Sequence, residues 1–307
     1  MKNKWIKQIA FPLLAALIWG TAFVFQSEAA VHIGPFTFNT MRGMLAFLSL
    51  GLILLGRDLW NKRKGNKREE SVPAEKRNIK ALLIGGFLCG TVLAVAANLQ
   101  QLGLGSTSPG KAAFITALYV VLVPVFSLFF GKKARVLVWI GVALATVGLY
   151  FLCITGTMTI ETSDFFVFLC AFCFAAHIIV IDRVSPHVNS VELSCLQFLV
   201  MAVESAVCML IVESPTWEAM LACLWPLFYV GVFSSSVAYT LQILAQKNSN
   251  PTVVSLLLCL ESVFAVLAAG VLTGQWMSSR EWIGCVLMLL AVVLAQLPDG
   301  IFKKKTK

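Results

Sequence analysis

Ten apolar runs, most close to twenty residues long, leave this 307-residue chain few ways to fold. They lie at about 8–28, 37–56, 79–101, 110–130, 136–153, 164–182, 190–212, 222–246, 251–272 and 281–297. An α-helix needs roughly 20 such residues to cross a bilayer. Lipid offers no partner to an unpaired backbone N–H or C=O, so a spanning segment must be helical. The composition agrees: 59% of residues are hydrophobic and 13% charged, against about 25% charged in soluble domains. The reading is an all-α integral membrane protein of ten transmembrane helices, with the lipid bilayer as its surroundings.

The runs are written twice. Ser106 to Leu152 reads STSPGKAAFITALYVVLVPVFSLFFGKKARVLVWIGVALATVGLYFL, and from Ser249 the chain reads SNPTVVSLLLCLESVFAVLAAGVLTGQWMSSREWIGCVLMLLAVVLAQL. Ser108-Pro109 matches Asn250-Pro251, 142 positions on, and Trp139-Ile140-Gly141 matches Trp282-Ile283-Gly284, 143 positions on. Leu99-Gln100 matches Leu241-Gln242 at 142, and Arg42 matches Gln197 at 155. The expected division is 1–155 and 156–307, five helices each. Five is odd, so the second copy must cross the membrane in the opposite sense. Such inverted repeats are common in secondary transporters, whose binding site lies near the midplane between the halves.

Charge sets the expected orientation. Of the 24 Lys and Arg, 21 fall in the ends and loops on one side of the spans, including nine in the polar loop 57–80. Only Lys111 and Arg280 fall on the other side, and Arg42 sits within a span. Cytosolic loops carry this excess, which predicts both termini in the cytosol and a multi-pass protein of the cytoplasmic membrane. The net charge of +9 is therefore topology, and no nucleic-acid partner is implied. The start, MKNKWIKQIAFPLL, has the form of a signal peptide, but the repeat gives the first span a partner, so it is expected to be retained. All nine cysteines lie within or beside the runs, where thiols behave as small hydrophobes. Cys170-x-x-Cys173 falls inside the sixth span, which argues against a redox or zinc role. Only three histidines exist, none at metal spacing, so no cofactor, metal or enzymatic activity is expected.

In these residues the chain resembles the EamA-type branch of the drug/metabolite transporter superfamily. The resemblance rests on IWGTAF in the first span, the Pro35…Arg42 entry to the second, KAAFITALYVVLVPVFS in the fourth and the repeated WIG endings. It implies a ten-helix carrier that moves a small metabolite by alternating access, in many members outward. The family often has Glu after the Gly that ends the fourth and ninth spans. Here those places read Gly131-Lys132 and Gly274-Gln275, so no role of that Glu carries over.

Few polar groups stand at membrane depth, and a charge there is costly unless it pairs or faces water. Trp19 shares a helical face with Phe23 and Gln26, and Arg42 lies about two turns into the second span. Thr91, Asn98 and Gln101 share a face of the third, Thr116 and Tyr119 lie in the fourth, and His177 in the sixth. Gln197 and Glu204 follow in the seventh, Tyr239 and Gln242 in the eighth. The expected substrate cavity is Trp19, Arg42, Asn98, Gln101, Thr116, Tyr119, His177, Gln197, Tyr239 and Gln242. Arg42 there is weighed as a sensor of an anionic group against a structural donor. Glu261, in the ninth span and aligned with Tyr119, is the first candidate for proton coupling and Glu204 the second. The alternative for Glu261 is a structural pair with Lys111 or Arg42. One cation, one or two anions, amides and aromatics suit a zwitterion such as an amino acid, or an amphipathic metabolite or drug. A channel or uncoupled facilitator for small polar solutes is the competing class, and the oligomeric state, monomer or homodimer, is left open.

Overall fold

A computed structural model of the chain describes residues 2–63, 78–107, 109–132, 134–153, 161–247, 249–274, 276 and 278–297. The side chains of residues 2–7, 153 and 273 are outside the description. With backbone groups obliged to pair internally, the described residues build helices and no strand. They are α1 (Lys2–Ala30), α2 (Pro35–Arg63), α3 (Ile79–Leu104), α4 (Pro109–Ala117), α5 (Tyr119–Phe129) and α6 (Val136–Cys153). The chain continues through α7 (Thr162–Val184), α8 (Ser190–Val212), α9 (Trp217–Ala222) and α10 (Leu224–Phe228). A π-helical segment, Tyr229–Ala238, leads into α11 (Tyr239–Gln246), and α12 (Pro251–Leu258), α13 (Glu261–Thr273) and α14 (Ser279–Gln296) complete the chain. Among the described residues, counting broken helices as one, nine are long and apolar enough to cross a membrane, and Val136–Leu152 is a shorter tenth. Large apolar side chains such as Leu52, Phe87, Leu210 and Val271 point outward, as lipid contact requires.

Local chemistry sets the ends. Asn78, Asn189 and Asn250 each accept a backbone N–H at the start of α3, α8 and α12, and Pro251 suits a first helical turn. Gly131 and Gly274, at φ +75° and +74°, close α5 and α13 in the left-handed conformation that a side chain disfavours. The polar loop is shorter than the predicted 57–80, because α2 runs on to Arg63 and α3 begins at Ile79. Residues 64–77, the bulk of that loop, lie outside the described residues.

Helix packing follows small residues. The most extensive contacts join α6 to α14, α3 to α7, α2 to α8, α3 to α8 and α1 to α13. A methyl placed on Gly284 would stand 2.6 Å from the Gly148 carbonyl oxygen, so α6 and α14 touch backbone to backbone. Polar groups mark which helix ends meet. Phe36 and Thr37 at the start of α2 donate backbone N–H groups to Glu213 at the end of α8, at 3.0 and 2.7 Å. Arg135 before α6 donates to the Ala295 and Leu297 carbonyls at the end of α14. Hence α2 and α8 run antiparallel, and so do α6 and α14. Lys111 at the start of α4 binds Asp164 at the start of α7, while Lys132 after α5 binds Asp182 near the end of α7. The α4–α5 pair therefore runs parallel to α7 and is tied to it at both ends.

The fourth and ninth spans are each interrupted at the same register. α4 ends at Ala117, and Leu118 passes a tightened turn into α5, whose first residue is Tyr119. α12 ends at Leu258, and Cys259-Leu260 lead to Glu261 at the head of α13. Pro124 lies inside α5 and does not cause the interruption, because the ninth span breaks alike with Val266 in its place.

Candidate functional site

Where these helices converge lies a cavity of about 40 Å3, more than the roughly 10–15 Å3 that a single water needs. α1 contributes Trp19, Phe23 and Gln26, α2 contributes Arg42, and α3 contributes Gln100. Thr116 and Tyr119 reach it from either side of the fourth-span interruption, Leu258 and Glu261 from either side of the ninth. α7 adds Phe174, His177 and Ile178, the π-helical segment adds Ser234, and α11 adds Tyr239 and Gln242. One wall is aromatic: Trp19 and Tyr239 have ring centroids 4.7 Å apart, and His177 meets Tyr239 edge-on at 5.8 Å. Trp19 Nε1 donates to the Ser234 carbonyl at 3.1 Å, which orients the indole.

Two ionisable side chains, one basic and one acidic, border this cavity. Arg42 is 3% exposed. Its Nε donates to Ser235 Oγ at 3.1 Å, and Nη1 donates to Gln26 Oε1 at 3.1 Å and Asn39 Oδ1 at 3.5 Å. Among the described residues no carboxylate stands within ion-pair distance of it. Neutral oxygens orient the guanidinium but do not cancel its charge, and a buried uncompensated charge is expensive. Glu261 is 4% exposed and accepts a hydrogen bond from Tyr119 OH at 3.0 Å. The alternative, a structural pair with Lys111 or Arg42, is not what the fold builds: Lys111 binds Asp164, and Arg42 binds neutral groups. Glu261 meets instead the residue 142 positions before it in the register.

Of the ten expected cavity residues, seven border it: Trp19, Arg42, Thr116, Tyr119, His177, Tyr239 and Gln242. Three do not. Asn98 accepts from Asn39 Nδ2 at 2.9 Å and donates to Ser205 Oγ at 2.8 Å, in the seam between α2, α3 and α8. Gln101 donates to the Gln26 carbonyl at 2.9 Å and borders a separate recess beside residues 30–35. Gln197 lies behind the wall, where its Oε1 meets His177 Nε2 at 3.1 Å. Glu204 accepts from Thr91 Oγ1 at 2.6 Å on the α3–α8 interface, away from the cavity. The polar face predicted for the third span is thus a helix-joining seam. The cavity residue of α3 is Gln100, one position away, which the repeat register pairs with Gln242. Phe23, Gln26, Phe174, Ile178, Ser234 and Leu258 also border the cavity and are not among the expected site residues. Phe23 and Gln26 carry a signal in the sequence, on the face they share with Trp19. Among the described residues no three His, Cys, Asp or Glu gather to hold a metal.

A family model described as the EamA-like transporter family matches residues 6–154 and again 162–297. The chain belongs to this family. It is a multi-pass membrane protein of the transporter class. Relatives of this EamA-like transporter include an uncharacterized transporter of Archaeoglobus fulgidus, 29% identical over 92% of this chain and 84% of that protein. The uncharacterized inner membrane transporter YedA of Escherichia coli K12 is 26% identical over 96% of this chain and 94% of its own length. A solved crystal structure superposes with a TM-score of 0.73 over 94% of this chain and 96% of that one, at 17% identity, which speaks to the fold alone.

Proposed function

We propose that this EamA-like transporter is a secondary carrier for a small zwitterion, with amino acids as the first class to test. Arg42 receives the substrate carboxylate. Glu261 receives its ammonium group or exchanges a proton with it. The observation that carries this reading is the pair itself: a guanidinium and a carboxyl group buried on one cavity, neither ion-paired with a described residue. A zwitterion supplies both missing charges at once, and its body lies against Trp19 and Tyr239. Alternating access follows from the architecture we infer: two five-helix halves, 1–155 and 156–307, related by a pseudo-twofold axis in the membrane plane. Three observations support that inference. Register-matched α2 and α8 run antiparallel, α6 and α14 do the same, and register-matched Tyr119 and Glu261 touch. The proposed setting is the cytoplasmic membrane with both termini cytosolic, and the proposed direction is export, as the resemblance implies.

The test is reconstitution in liposomes loaded with unlabelled amino acids, followed by uptake of labelled ones. Saturable counterflow is expected. Unitary currents in planar bilayers, with no counterflow, would replace the carrier with a channel.

A further inference from the structure

The two halves treat one side chain differently. Gln100 and Gln242 are 142 positions apart, as are Thr116 and Leu258, and all four border the cavity. In the first half Gln100 Nε2 donates to Thr116 Oγ1 at 3.2 Å. In the second half leucine replaces that threonine. The Gln242 carboxamide is 2% exposed, its oxygen is wholly buried, and it makes no hydrogen bond to any described residue. A buried amide left unpaired is costly, and native proteins keep few of them.

The backbone sets this side chain's phase. Gln242 lies in α11, directly after the π-helical segment Tyr229–Ala238. One residue inserted into an α-helix turns everything beyond it by about 100°, and such π insertions gather at functional sites. The matched stretch of α3 is ordinary α-helix. So one half of the molecule satisfies its glutamine internally, and the other leaves it unpaired at the border of the cavity that Arg42 and Glu261 also line.

We propose that Gln242 is a specificity-determining residue, which selects zwitterions whose side group carries a hydroxyl or a carboxamide. A carboxamide both donates and accepts, so it can give two complementary contacts to a primary amide and one or two to a hydroxyl. Sites built around an unpaired buried polar group reject the analogue lacking its mate far better than apolar pockets reject an extra group. The inference rests on the zwitterion reading above.

Binding to purified protein tests it with three matched pairs: L-threonine and L-valine, L-tyrosine and L-phenylalanine, L-glutamine and L-methionine. The wild type should bind the polar member at least tenfold more tightly in one pair or more. Gln242→Leu should bring that pair within about threefold. Leu258→Thr, which gives Gln242 the partner that Gln100 already has, should narrow the gap as well. Should Gln242→Leu fail to fold, the wild-type panel and Leu258→Thr decide. Equal binding within every pair would overturn the proposal while leaving the zwitterion reading standing. So would a preference that survives the substitutions. Binding of none of the six, together with absent counterflow, would remove both.

Discussion

Arg42 and Glu261 differ in what their neutral replacements should do. Arg42→Gln keeps a donor for Gln26 and Ser235 but loses the charge. Removing one partner of a buried charge pair costs about 2 kcal/mol or more, so the affinity for L-amino acids should fall roughly thirtyfold or beyond. The melting temperature of the ligand-free protein should hold or rise, because no internal ion pair is lost and a costly buried charge is removed. Titration calorimetry beside a thermal melt separates the two effects. Glu261→Gln retains an oxygen that can accept from Tyr119 OH. It should therefore fold normally, yet bind L-amino acids more weakly for want of an ammonium partner, and transport in vesicles should no longer respond to a pH gradient. Undiminished pH response in that variant would remove Glu261 from coupling. Both residues are legible in the sequence, because a charge in an apolar run stands out. Asn98 and Gln101 are not, for a physical reason. Amides that join two helices and amides that face a cavity are the same residue types at the same spacing. One residue, about 100° of helix, separates Gln101 from Gln100. The selective value of Gln242 is hidden further, since it depends on Leu258 standing where the first half has Thr116.

At the scale of helices, the spans and their order are readable because a bilayer imprints itself on some twenty consecutive residues. Their interruptions are not. Pro124 draws attention to the fourth span, yet the turn occurs at Leu118 and recurs at Cys259-Leu260 without a proline. One contact at the ninth-span break is testable. A methyl on Gly20 would stand 2.6 Å from the Glu261 carbonyl oxygen and 2.7 Å from the Ala265 nitrogen, so α1 rests on the backbone at the head of α13. Gly20→Ala must force these helices apart. An overpacked contact of this kind costs about 1–3 kcal/mol, seen as a lowered melting temperature and weaker transport. Gly51, in α2, has open space where an added methyl would stand. Gly51→Ala should be neutral or raise stability by up to about 1 kcal/mol, the helix-propensity gain alone. A further clasp joins α8 to α2, where Glu213 accepts two backbone N–H groups and the Thr37 hydroxyl. Glu213→Ala removes that cap and should cost about 1 kcal/mol, whereas Glu213→Gln should retain part of it.

For the molecule as a whole, the deciding prediction is orientation. Basic residues crowd the ends and loops on one side of the spans, nine of them within 57–80, while the opposite side holds Lys111 and Arg280. Cytosolic loops attract this excess, so position 66 should lie inside and position 158, between the fifth and sixth spans, outside. The helix senses are consistent with that assignment. Arg135 and the end of α14 meet at one face, and the 57–80 loop follows α2, which runs antiparallel to α8. In the proposed two-half architecture an odd number of spans per half obliges the second half to enter from the opposite side, the arrangement that the proposed alternating access requires. Single cysteines at 66 and 158, placed in a background where Cys173 and Cys208 are also replaced, can be labelled with a membrane-impermeant maleimide. In intact cells 158 should react and 66 should not, and in inside-out vesicles the pattern should reverse. Labelling of 66 from outside would overturn the proposed orientation, while leaving the fold and its Arg42–Glu261 cavity as described.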